Sequence, residues 1–162
     1  MKRLLICMVL IFSACAPLIP EGYKLVSNDI NSKLYEKQDF LIEIGNSGSM
    51  SADAALISLQ KKQAVIKGLY SSIPSPYPGI LSNEISCGDE FKPELQLQGL
   101  VLYIEGYTTP RRTFGACAKD LIKYKTFIKY YYCKGQLRFV KGYAPLNSST
   151  QELQQQVKDW KC

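Results

Sequence analysis

Apolar and polar positions along this chain recur with two different periods, and the changes of period mark its elements. Phe40, Ile42 and Ile44 alternate with Leu41 and Glu43, the period of two that a half-buried strand requires. Tyr23 to Val26 predicts an earlier strand, set apart by the polar stretch from Ser27 to Lys33. Gly45-Asn46-Ser47-Gly48-Ser49 reads as a turn. The period then lengthens. Ala52, Ala55, Leu56, Leu59, Ile66, Leu69 and Tyr70 fall at helical spacing, with Gln60, Lys61, Lys62 and Lys67 on a polar side. This predicts a helix at about 51–72, with Ser51 as its N-cap and Asp53 near the positive end of its dipole. Pro74-Ser75-Pro76-Tyr77-Pro78-Gly79 cannot continue a helix and reads as an extended connector.

From 95 to 143 the chain is rich in β-branched and aromatic residues. Leu97 to Tyr107 predicts a strand, 108–111 a turn, and Arg112 to Ala118 a returning strand. The residues from 123 to 143 predict a hairpin turning at Lys134-Gly135. That register sets Tyr132 opposite Leu137 and Tyr130 opposite Phe139, with Ile128 on their side; Lys129, Tyr131, Cys133 and Arg138 lie on the other. Ser149-Thr150-Gln151-Glu152 has capping-box spacing, and Leu153, Val157 and Trp160 form a docking stripe. The elements together predict an α+β fold: a mostly antiparallel sheet packed by the helix at about 51–72 and by a C-terminal helix at about 149–161.

The first residues depart from this pattern. Met1-Lys2-Arg3 is followed by an apolar run from Leu4 to Ala14, 11 residues long, where a bilayer-spanning helix needs roughly 20. A basic start, a short apolar run and small residues before a cut describe a secretory signal. Ser13-Ala14-Cys15 resembles the lipobox of bacterial lipoproteins, with Phe12 where that family usually has Leu. The resemblance implies cleavage before Cys15, a diacylglyceryl thioether on its sulfur and N-acylation, commonly with palmitate. Ala16 follows Cys15 where an Asp would retain such a protein at the inner membrane, which favours the outer membrane. The expected organisation is therefore a signal peptide at 1–14, the lipidated Cys with a short Pro-containing tether at 15–22, and one domain at 23–162. The expected address is the bacterial cell envelope, facing the periplasm or the cell surface.

Removing 14 of the 162 residues leaves 148, enough for one domain with its own core. Hydrophobic residues make up 46% of the chain, too many for a disordered one. The 20 basic and 14 acidic residues become 18 and 14 once Lys2 and Arg3 are removed, a mild positive charge that permits anionic partners without demanding them. Cys7 falls within the signal. Cys87, Cys117, Cys133 and Cys162 remain beside Cys15, an even number expected to form two disulfides in an oxidising compartment. Cys117–Cys133, closing a loop of roughly 15 residues, with Cys87–Cys162 is the favoured pairing; the rival brings a C-terminal helix end, and Cys162, to Cys133.

The chain has no His. Ser-His-Asp and Cys-His catalysis and His-liganded metal sites are thereby excluded, and no metal or cofactor is expected. Glu84, Asp89, Glu90 and Glu94 cluster around Cys87 and could supply an acid/base pair of the kind glycosidases use. A solvated acidic loop beside a disulfide is the plainer reading. Gly45-Asn46-Ser47-Gly48-Ser49-Met50 resembles the metal-site motif of von Willebrand factor A domains, but Gly45 stands where that family places its ligating Asp.

Basic and aromatic groups interleave through Lys123, Lys125, Lys129, Tyr131 and Arg138, with Tyr77 in the proline-rich connector. These residues form a candidate binding surface, on which Tyr would stack on sugars and cations would meet carboxylates. The expected function is a membrane-anchored, non-enzymatic binding or assembly module. Its expected partners are the membrane and an envelope protein or a cell-wall or surface glycan, without nucleic acid. A carboxylate-based glycan hydrolase and a small inhibitor or immunity lipoprotein are the alternatives.

Overall fold

A computed structural model describes residues 19, 21–69, 93–107 and 124–162. Cys15, Tyr77, Cys87, Cys117 and Lys123 lie outside the described residues, as do Glu84, Asp89, Glu90, the signal segment, the proline-rich connector and the strand expected at 112–118. The described chain runs β1 (Lys24–Asn28), β2 (Ser32–Lys37), β3 (Phe40–Ser49), α1 (Ala52–Leu69), β4 (Glu94–Gln98), β5 (Val101–Tyr107), β6 (Tyr124–Cys133), β7 (Gln136–Pro145) and α2 (Gln151–Asp159). The strands form one seven-stranded sheet in the order β1-β2-β3-β7-β6-β5-β4, and every neighbouring pair is antiparallel. The fold is α+β. Among the described residues no helix is long and apolar enough to cross a membrane.

The hairpin at the centre of the sheet has the expected register: Tyr130 pairs with Phe139 and Tyr132 with Leu137. Its turn residues Lys134 and Gly135 both have positive φ, 49° and 78°, the condition for a type I′ turn whose twist matches the strands. Alternation then divides the sheet's side chains between two cores. Leu102, Ile104, Ile128 and Leu137 meet Leu59 and Ile66 of α1. On the opposite face Phe127, Tyr131, Cys133 and Val140 meet Leu153, Val157 and Trp160 around α2.

Four expectations are corrected. Residues 45–49 are not a turn but continue β3, with a bulge between Asn46 and Ser49 where the strand pairs with β7. Gly45 is small because Phe139 lies against it: a Cβ there would sit 2.5 Å from the Phe139 ring and 2.9 Å from Ser32 Cβ. Residues 97–107 form parts of two strands, because Gly99, with φ of 53°, turns the chain back between Gln98 and Val101. Thr150 occupies the N-cap of α2 without a side-chain cap bond, so the capping box is not made.

The fourth correction concerns the cysteines. Cys133 pairs with Cys162, their Cα atoms 5.6 Å apart, which rules out both Cys117–Cys133 and Cys87–Cys162. Cys133 and Tyr131 project from the same face of β6, and α2 docks on that face with Trp160 packed in the same cluster, so the end of the chain arrives beside Cys133. Among the described residues this is one disulfide rather than two. Elsewhere the expected helix start holds: the Ala54 amide donates to Ser51 Oγ at 3.2 Å. The junction between β3 and α1 is fixed by the central hairpin, since the Met50 amide donates to the Gly135 carbonyl and the Tyr132 hydroxyl donates to the Met50 carbonyl.

Candidate functional site

Four residues of the sequence-derived surface are described: Lys125, Lys129, Tyr131 and Arg138. All four lie on the face of β6 and β7 that α2 covers; α2 engages Lys129 and Tyr131 directly and Lys125 through Glu105. Tyr131 is 6% exposed and belongs to the core. Lys129 Nζ donates to the carbonyl oxygens of Lys158 and Trp160, at 2.5 and 2.8 Å. Those carbonyls lie at the negative end of α2, where an ammonium is favoured. Burial lowers the Lys129 pKa, which the Asp159 carboxylate partly opposes. Lys125 pairs with Glu105 at 2.7 Å, and Glu105 also accepts from the Gln154 side-chain amide of α2 at 2.6 Å. Arg138 donates to Gln136 Oε1. The basic and aromatic run thus holds α2 on the sheet.

Lys129→Met keeps the stem and removes both bonds, which should cost about 1–3 kcal/mol for hydrogen bonds to a charged group. Trp160 is the only Trp of the chain, so its fluorescence in a urea titration reports the change directly. An unchanged midpoint would mean that Lys129 does not cap α2.

The other face holds a more open arrangement. A groove of about 520 Å³ runs along α1, lined by Ala54, Ile57, Ser58, Lys61, Lys62, Val65 and Ile66, with Tyr130 of β6 as its floor. Ile57 and Val65 are half exposed, an apolar pair set two turns apart with Lys61 between them. Lys62 Nζ stands 4.8 Å from the centre of the Tyr130 ring, within cation–π range. Beside Tyr130, at 6.0 Å between ring centres, lies Phe139, which Lys141 covers at 4.5 Å. Lys141 is tied to Glu43 at 2.8 Å across β3 and β7, with both side chains largely buried.

This packing moves the protonation equilibria on that face. Burial, and then the charge of Lys141, lowers the Lys62 pKa. Burial and the Glu43 carboxylate push the Tyr130 phenol up to about 12, and raise Tyr143 well above its usual value. Tyr103, on the α2 face, is also raised by burial and then by Glu105. A buried phenol raised in this way keeps its proton in the native state after the unfolded chain has lost it. The folded state therefore loses stability as pH climbs from about 10, the unfolded tyrosine value, towards 12. Lys62 and Lys129, lowered in the native state, act in the opposite direction over the same range. Tyr23 and Tyr131 are raised by burial as well, and Lys125 by its hydrogen bond to Glu105; five raised phenols and this lysine outweigh the two lowered ammonium groups, so the net slope is downward. Urea midpoints should fall between pH 9 and pH 11, and a midpoint that stays level or rises would contradict the burial of these phenols.

The groove was not among the expected surfaces. Its signal in the sequence is Ile57 and Val65, two aliphatic residues that lie off the stripe of Ala55, Leu59 and Ile66 facing the sheet. Glu94 sits on β4 opposite Glu105 of β5. Among the described residues no three Asp, Glu or Cys side chains converge to hold a metal. No protein-family model, no curated protein and no solved structure matches this chain.

Proposed function

We propose that this chain is an envelope lipoprotein anchored through Cys15, cut after residue 14 and tethered by 15–22, that works as a non-enzymatic binding module. Its groove along α1 takes an acidic, partly apolar segment of a partner protein. The observation that carries this reading is the groove's lining. Lys61 and Lys62 are its charged residues among those described, and Ile57, Val65 and Tyr130 supply apolar contact. From Ala54 to Ile66 the helix advances about 18 Å, the length of a short helical or extended segment rather than of a small metabolite. A peptide suits the groove better than a glycan, because Lys62 already covers Tyr130, the one aromatic ring of the described lining against which a sugar would stack. Glu43, the carboxylate whose charge reaches Tyr130, is tied to Lys141, which favours binding over proton transfer.

A photo-crosslinking residue at position 61 in the full chain, expressed in bacterial cells, tests the groove. The expected result is one discrete adduct with an envelope protein, lost when Ile57→Glu and Lys62→Glu are added. Adducts that survive both changes, or none at all, would refute it. The anchor has its own test: an alkyne fatty acid should label the wild type and not Cys15→Ser. The reading also includes a second bridge, Cys87–Cys117, the pairing left once Cys133 and Cys162 are joined. Non-reducing peptide mapping should find it, and a free thiol at either position would remove it.

A further inference from the structure

We infer that the β1–β2 end of the sheet is the side that meets the lipid bilayer, with Leu25, Val26 and Ile30 entering its interface. Leu25 is 54% exposed, Val26 52% and Ile30, at the hairpin tip, fully exposed. These three large apolar residues fall within six consecutive positions at one end of a seven-stranded sheet. Apolar residues grouped on a rim in this way mark a contact with something apolar.

The course of the tether identifies the contact. Ile19 lines a hollow of about 320 Å³ together with Ile30, Lys33, Tyr35 and Ile44. The chain therefore enters the domain over the β1–β2 end of the sheet, with Ile30 on the rim of the same hollow, before Glu21 meets Lys37. Ile19 lies four positions after Cys15, so even a fully extended chain places the Cys15 sulfur within about 14–16 Å of Ile19. Acyl chains on Cys15 hold the bilayer surface that close to the hairpin. This step rests on the lipidation of Cys15 proposed above.

The edge itself favours side-chain contact over strand pairing. β1 is outermost among the described strands, and its register shifts between Leu25 and Ser27, a bulge that twists an edge away from a flat partner strand. Charge is balanced here: Lys24, Lys33 and Lys37 are matched in number by Glu21, Asp29 and Glu36. Apolar insertion, rather than attraction to anionic headgroups, is the driving contact.

The test uses the full lipidated protein reconstituted in vesicles of phosphatidylethanolamine and phosphatidylglycerol, with and without brominated acyl chains. Wild type supplies the Trp160 background. Ile30→Trp should add emission that shifts to the blue by about 10 nm on reconstitution and is at least half quenched by bromine. Ile57→Trp, on α1 at the far half of the sheet, should show neither effect. Unquenched Ile30→Trp in protein that floats with the vesicles would overturn the inference while leaving the anchor intact. Protein that neither floats nor carries the fatty acid label would overturn the anchor, and this inference with it.

Discussion

Replacing Cys133 and Cys162 together by Ala should lower the unfolding free energy by about 3–4 kcal/mol. The bridge closes a loop of 29 residues in sequence separation. In the chain-entropy account a loop of that length restrains the unfolded chain by about 3.5 kcal/mol. The native contribution points the same way. Without the bridge, the end of α2 is held by Lys129 and by the packing of Trp160 against the sheet, and helix ends without a tie fray. A urea titration followed by Trp160 fluorescence reads the loss, and wild type kept under reductant should approach the double variant. A difference below about 1 kcal/mol would mean that the unfolded chain is already restrained there by other means.

Gly142→Val should cost of order 3 kcal/mol, at the upper end of overpacking effects. Gly142 lies in the middle of β7, paired with Ile42 on one side and Phe127 on the other. Glycine weakens a strand interior, so its presence there calls for a reason. The reason is α2: a Cβ on Gly142 would sit 2.9 Å from both Leu153 Cγ and Val157 Cγ2. The helix rests on bare backbone, and any side chain lifts it. Because α2 also brings Cys162 to Cys133, the variant should form its bridge more slowly during oxidative refolding. Leu153→Ala makes room at the same spot, so the double variant should be less impaired than the two single changes added together, by about 1 kcal/mol or more. Strict additivity would show that the helix does not touch Gly142.

Local chemistry was legible wherever a short stretch of chain decides its own shape. The Lys134-Gly135 turn and the register that follows from it could be read off because both strands meet through two residues. Ser51 was legible as a cap for the same reason. What resisted reading depends on residues far apart in the chain. Gly45 to Ser49 carries turn chemistry, yet β7, some ninety residues later, holds it as a strand. The role of Lys129 emerges only when carbonyls from residues 158 and 160 are placed above it. The basic run therefore looked like a surface, whereas helix docking consumes much of it. The groove was hidden differently: Ile57 and Val65 are ordinary helix residues until the packed face of α1 is known, and only then stand out as apolar side chains left uncovered.

The strand order has a consequence for how the chain assembles. β7 sits between β3 and β6, so it joins a sheet half made of β1–β3 to one made of β4–β6, yet it follows all the other described strands in the chain. Neither half acquires its neighbour until residues 136–145 arrive. The β6–β7 hairpin can close within microseconds, whereas pairing β3 with β7 must first close a loop of roughly ninety residues, the slow kind of step. A chain stopped before residue 136 would present two unfinished sheet edges at once. Its rate of aggregation, more than its residual structure, should set it apart from the full-length protein.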